Sequence, residues 1–235
     1  MRSVAISQSN YIPWKGYFDL IDQVDEFMLL DEVQYTRRDW RNRNKIKTSQ
    51  GLRWLSVPVQ SKGRYEQRID ETLIAESDWP SRHWSTIAQA YSAAPHFDEL
   101  HDRWEPVYRG LEGIERLSDV NRRLIELACE DLDITTPIRW STDYPSADGA
   151  TERLLSLCLA AGADEYVSGP AAKAYLDVAR FEQEGVSVRW MDYSGYPEYT
   201  QLHGEFDHGV SIVDVLFNTG RQARELFRGG APRAA

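Results

Sequence analysis

Short β-type runs and longer helical patterns take turns along this chain, and that alternation constrains its fold more than any other feature. Ser3–Ser7 (SVAIS) reads as a first strand, residues 27–30 (FMLL) as a second and 54–59 (WLSVPV) as a third. Between the first two, Tyr17, Leu20, Ile21 and Val24 recur as on one helix face. From 79 to about 130 the pattern turns helical, with Ser81 and Ser118 as N-caps and with Leu124, Leu127 and Ala128 on one face. Strand-like segments return at 134–140, Glu165–Ser168 and 186–191, separated by helical patterns at 150–161 and 171–181, and Gly162 and Gly185 fall where helix-ending glycines belong. Residues 211–217 and 221–227 read as a helix pair broken around Gly220. The expectation is an α/β, Rossmann-like fold: a mostly parallel sheet with helices on both faces. Residues 1–228 would form one domain with a helical insertion at about 79–131, and 229–235 a disordered tail.

Composition excludes several classes. A chain of 235 residues, 42% hydrophobic and 27% charged, has the mass for a real core and is neither a disulfide-stapled miniprotein nor a disordered polymer. No apolar run approaches the ~20 residues of a membrane span. The opening MRSVAISQSN lacks the features of a secretory signal, so a cytoplasmic protein without a membrane partner is expected. Cys129 and Cys158 sit in apolar helical stretches outside any Cys-x-x-Cys spacing and read as small buried hydrophobes. A net charge of -10 disfavours nucleic acid as a partner.

Two stretches stand out for chemistry. The loop Gln8-Ser-Asn-Tyr-Ile-Pro-Trp-Lys-Gly joins the first strand to the first helix, where open α/β sheets bind ligands. Gln8, Asn10 and Lys15 are candidate catalytic groups that would orient a reacting carbonyl or phosphate, and Tyr11 and Trp14 would contact substrate. The alternative is that Tyr11, Pro13 and Trp14 plug one end of the sheet. The second stretch, 34–53, carries seven cations against the single acid Asp39, so it sums to +6 and leaves -16 for the rest. Within it Arg37, Trp40, Arg41, Asn42, Arg43, Asn44 and Lys45 interleave guanidinium forks, amides and an indole, a pattern suited to a nucleotide, nucleotide-sugar or carboxylate. A solvated charged face would give the same composition, and single-stranded nucleic acid would find the footprint thin.

Weaker candidates remain. His83 could act as a general base or pack within its helix. Ser168 and Gly169, ahead of Pro170, could open an anion-binding helix start or form an ordinary turn. His203 and His208, with Glu205 and Asp207 between them, have no diagnostic metal spacing, so no metal is assigned. The chain contains no Walker loop, Gly-x-Gly-x-x-Gly, Gly-x-Ser-x-Gly or His-Glu-x-x-His, which disfavours P-loop kinases, dinucleotide oxidoreductases, serine hydrolases and zincins.

Ile6-Ser-Gln-Ser-Asn-Tyr-Ile-Pro-Trp-Lys-Gly-Tyr-Phe resembles the Gln-Pro-x-Tyr-x-Pro-Trp-x-Gly-Tyr-Phe opening of WbqC-like proteins, and Trp40-Arg-Asn-Arg-Asn-Lys-Ile their Asn-Arg-x-x-Ile segment. Tyr166-Val-Ser-Gly169, Tyr199-x-Gln201, Phe206 and Ser211-Ile-Val-Asp-Val-Leu-Phe-Asn-x-Gly220 extend the resemblance over roughly residues 4 to 220. One departure is Ser9, where the family usually has Pro, a change expected to relax the loop's backbone. The resemblance implies surface-polysaccharide or specialised-metabolite biosynthesis, with glycyl transfer onto an amino sugar proposed for some members, and adds Tyr199 and Gln201 as substrate contacts. A looser similarity, of pattern only, is to nucleotidylyl-transferase-like Rossmann folds, but Trp14 and Tyr17 stand where those carry paired histidines, which disfavours their adenylyl-transfer route.

The expected function is therefore a biosynthetic enzyme, an aminoacyl or acyl transferase or ligase acting on an amine such as an amino sugar. Arg41, Arg43 and Lys45 would hold the substrate anion. A nucleotide or an activated aminoacyl donor would serve as cofactor, the substrate would be a small molecule that could be nucleotide-linked, and a homo-oligomer is compatible. The alternative is a non-catalytic binding or scaffold protein of a biosynthetic assembly.

Overall fold

The computed structural model describes residues 1–227; the tail expected at 229–235 lies outside them. Five short strands form one parallel sheet: β1 (Ser3–Ser7), β2 (Glu26–Leu29), β5 (Ile138–Trp140), β6 (Glu165–Ser168) and β7 (Ser187–Trp190), in the order β5-β2-β1-β6-β7. Side-chain alternation explains why both faces are covered. Val4 and Ile6 of β1, Met28 of β2 and Tyr166 of β6 pack with Leu154, Leu155 and Cys158 of α5 (Ala150–Ala160) and Phe181 of α6 (Val178–Gln183). Their neighbours Ala5, Phe27, Leu29 and Val167 face the opposite way. They join a larger core with α1 (Lys15–Asp22), α2 (Trp79–Tyr91), α3 (Phe97–Gly110), α4 (Leu117–Asp131) and α7 (Ile212–Thr219). A period of two on strands buried on both faces is what a parallel sheet requires, so the α/β, Rossmann-like expectation holds.

Several local readings change. The basic stretch 34–53 is not simply a loop. Arg43–Thr48 is a strand, β3, paired antiparallel with β4 (Gly51–Ser56) in a separate two-stranded sheet, so the third strand read at 54–59 belongs to a hairpin. Asn44 and Ile46 point inward while Arg43 and Lys45 lie half-buried on the other face. Ser81 and Ser118 lie inside helices that start at Trp79, with Asp78 as N-cap and Pro80 in the first turn, and at Leu117. The helix read at 171–181 is split into a 3₁₀ turn at Pro170–Ala174 and α6, whose N-cap Asp177 accepts from the Arg180 N–H at 3.3 Å. Cys129 and Cys158 are buried free thiols. No helix among the described residues is long and apolar enough to cross a membrane.

Candidate functional site

The chain runs β1, β2, β5 toward one edge, then returns to the centre and builds β6 and β7 toward the other. The order reverses between β1 and β6, and there the connections leaving the two carboxyl ends diverge and open a crevice. A cavity of about 570 Å³ occupies it. Ser7, Gln8 and Asn10 enter from the end of β1, Ser168 and Gly169 from the end of β6, and Tyr193 from beyond β7. Gly149, Ala150 and Arg153 bring the start of α5 to the wall, while Leu20, Leu30, Val33 and Leu154 supply apolar surface. No side chain caps α5, so its first N–H groups keep their partial positive charge. Arg153 pairs at 3.6 Å with the exposed Asp148, and its buried Nε has no hydrogen-bond partner among the described residues.

The β1–α1 loop is held from beneath. Ser9 donates its N–H to Asp31 Oδ1 at 2.8 Å and its hydroxyl to Oδ2 at 2.7 Å, and accepts from Asn121 Nδ2 at 2.9 Å. The expectation that Ser9 relaxes the loop is therefore corrected: a proline would lack the N–H that ties this position down. Burial pushes the Asp31 carboxyl upward, opposed by the nearby Ser118 hydroxyl, by the hydrogen bonds from Ser9 and by the Arg41 charge. Arg41 is itself buried, which lowers its pKa, and it donates to Asn10 Oδ1. Ile12 has φ 37°, an uncommon conformation for a β-branched residue, and Asn44 Nδ2 donates to its carbonyl at 2.9 Å. Trp14 lies across the first turn of α1, so close that a Cβ on Gly16 would stand 2.4 Å from its ring.

Of the residues singled out from the sequence, Gln8, Asn10, Trp14, Ser168 and Gly169 converge on this cavity. Asn10, Trp14, Trp40 and Asn44 line a smaller neighbouring one. Lys15 lines neither. It is buried against Tyr196, Tyr199 and Phe206, 5.1, 5.4 and 5.6 Å from their ring centroids, with the Pro197 carbonyl 3.3 Å from Nζ. Desolvation lowers its pKa to about 8 against the opposing pull of Asp214.

Tyr199 and Gln201 belong to the same buried network. Tyr199 and Tyr91 donate to the two carboxylate oxygens of Asp214 at 2.6 and 2.8 Å; Gln201 donates to Tyr199 Oη at 3.0 Å and accepts from Lys47 Nζ at 2.6 Å. Burial raises the Asp214 and Tyr199 pKa values. Tyr11 and His83 lie in the helical core, where Tyr11 Oη meets His83 Nδ1 at 2.7 Å and Tyr108 Oη at 2.9 Å. Desolvation brings the His83 pKa down to about 4.

In the basic hairpin, Asn42 holds the Val57 carbonyl at 2.8 Å, and Arg43 stacks 4.3 Å over Trp54. Arg37 donates to Ser61 and covers Tyr65 on an exposed loop. Among the described residues no group of three or more His, Cys, Asp or Glu is placed to hold a metal ion. Sequence reading missed Arg153 and Tyr193. The signal for Arg153 was Gly149, immediately before a helical period, but the end of β1 across the cavity lies far away in the chain.

The whole-chain comparison agrees with these motifs: residues 8–226 match the WbqC-like protein family. The chain belongs to the WbqC-like family. A relative in Mycobacterium tuberculosis, the uncharacterized protein Rv1507c, is 54% identical over 228 residues, spanning 97% of this chain and 98% of the relative. No solved structure matches the chain.

Proposed function

We propose that this WbqC-like protein is a cytoplasmic biosynthetic enzyme. It binds an anionic, nucleotide-sized donor in the cavity between β1 and β6 and transfers or ligates its aminoacyl or acyl group to an amine. The observation that carries the reading is the cavity's position at the reversal of strand order, with Arg153 and the uncapped start of α5 at its wall. An anion is stabilised there by the guanidinium and by the helix start. Family membership supports a biosynthetic setting.

In this reading the amine lone pair forms the new C–N bond at the activated carbonyl. The bond to the leaving group breaks, the leaving group departs with the electron pair, and the amine proton passes to it or to water. Gln8 orients the carbonyl, and Arg153 stabilises the charge on the departing group. His83, held in the helical core, takes no part.

Thermal unfolding with a panel of nucleoside mono- and diphosphates and nucleotide-sugars at millimolar concentration tests the binding. At least one is expected to raise Tm by mass action. Arg153→Met should weaken that ligand by roughly 1.5–3 kcal/mol, the range for hydrogen bonds to charged groups. A panel that leaves Tm unchanged, or an Arg153→Met protein that binds as well as wild type, overturns the reading. Binding without acyl transfer to any amine acceptor, followed by mass spectrometry, would instead make the protein a non-catalytic binder.

A further inference from the structure

Beside the main cavity lies a second space of about 250 Å³, walled by Pro13, Trp14 and Trp40, with Asn10, Asn44 and Gly209 completing it. Asn10 and Trp14 line both spaces and form the partition between them. The surface just outside Trp40 is unusual for a folded protein. Trp40 and Trp54 are 43% and 44% exposed, 5.4 Å apart and tilted by 34°, so two indoles meet solvent where burial would have been favourable. The partnerless groups around this space are donors. Asn44 is saturated by Ile12, Tyr11 and the Lys45 N–H. Asn10 Oδ1 is taken by Arg41, which leaves its Nδ2 to donate. Lys45 Nζ stands 3.3 Å, and Asp207 Oδ1 3.1 Å, from where a Cβ on Gly209 would sit; Asp207 Oδ1 accepts the Gly209 N–H at 2.6 Å, while Lys45 Nζ lies 5.9 Å from the Trp54 ring with no ion pair or hydrogen bond among the described residues. Flat apolar walls select a planar ring, and a rim of donors with one free cation selects acceptors and negative charge.

We propose that this space is a second ligand compartment and that it takes a planar ring bearing a carboxylate or a phosphate. It deepens the proposed function and rests on it only for the role of the neighbouring cavity. Two ligands would then lie on either side of Asn10 and Trp14.

Ligand-observed NMR on the full chain with benzoate and phenyl phosphate tests it, with benzyl alcohol and cyclohexanecarboxylate as matched probes lacking the charge or the flat ring. One or both aromatic anions should bind, the tighter one assigning carboxylate or phosphate, and both controls should bind at least about tenfold more weakly. Trp40→Ala, at an exposed side chain, should weaken the aromatic anion about tenfold, with Trp40→Phe restoring most of it, and Lys45→Met about fivefold. Arg153→Met should change it by less than about twofold, and adenosine monophosphate should not displace it, because the neighbouring cavity is separate. If wild type binds neither anion at about 10 mM, far above the working range for fragments, the compartment is not a ligand site. Controls that bind equally, displacement by adenosine monophosphate, or loss in Arg153→Met but not in Trp40→Ala would equally overturn it. Failure of the nucleotide panel would leave this result standing, since the Trp40 variants report on the smaller space alone.

Discussion

Two regions near the carboxyl end of the sheet are built from similar polar and aromatic residues and behave as opposites. Around Asp214, Tyr91, Tyr199, Gln201 and Lys47 form a connected, largely buried set whose polar groups have their partners within the protein. Around the crevice between β1 and β6, the Gln8 amide, Asn10 Nδ2 and Arg153 Nε keep donors without hydrogen-bond partners among the described residues. A polar residue at the end of a strand can be there to brace a chain or to meet a ligand, and what separates the cases is whether its hydrogen bonds are already spent.

The sharpest break of that comparison is Asp214→Ala. If the network is structural, leaving two tyrosine hydroxyls and Lys47 without the buried carboxylate should cost about 3–5 kcal/mol in denaturant unfolding. A stability loss below about 1 kcal/mol would erase the contrast.

Next in size is the pH response of His83. Its folded pKa, about 4, lies below the ordinary 6.5, so the unfolded chain binds the extra proton between those values and stability rises with pH across that window. His83→Phe should flatten this slope, which amounts to roughly 3 kcal/mol over the window for a shift of this size. A slope surviving the substitution would mean that His83 is not held neutral.

Tyr199→Phe removes one hydroxyl from Asp214 and should cost about 1–2 kcal/mol while leaving the main cavity intact. Unchanged stability with lost ligand affinity would move Tyr199 to the other side of the comparison. The smallest expected effect is Gln8→Leu. It should leave stability within about 0.5 kcal/mol, as for groups without protein partners, yet lower turnover once a substrate is found. A large stability loss from Gln8→Leu would show it to be a brace.

The legible parts of the fold were those coded locally. β1 and β6 are short apolar runs ending in small polar residues, and α5 has a clean helical period, so the sheet and the approach of Gln8 and Ser168 to its end could be read directly. β3 could not, because its sequence Arg-Asn-Lys-Ile-Lys-Thr hides an inward face made of one amide and one isoleucine. Lys15 was legible as a cation after a loop, but the rings that enclose it come from residues 196–206, some 180 positions away. A separation of 145 positions hid Arg153: its place in the same cavity wall as Gln8 follows from the chain crossing back over the sheet, which no local pattern encodes.

The indole of Trp14 divides the two spaces beside the loop, yet it rests there only because position 16 carries a hydrogen instead of a carbon, a Cβ having no room within 2.4 Å of the ring. Whether the two chambers stay partitioned or merge is thus decided by an atom that is missing, in a residue that lines neither of them.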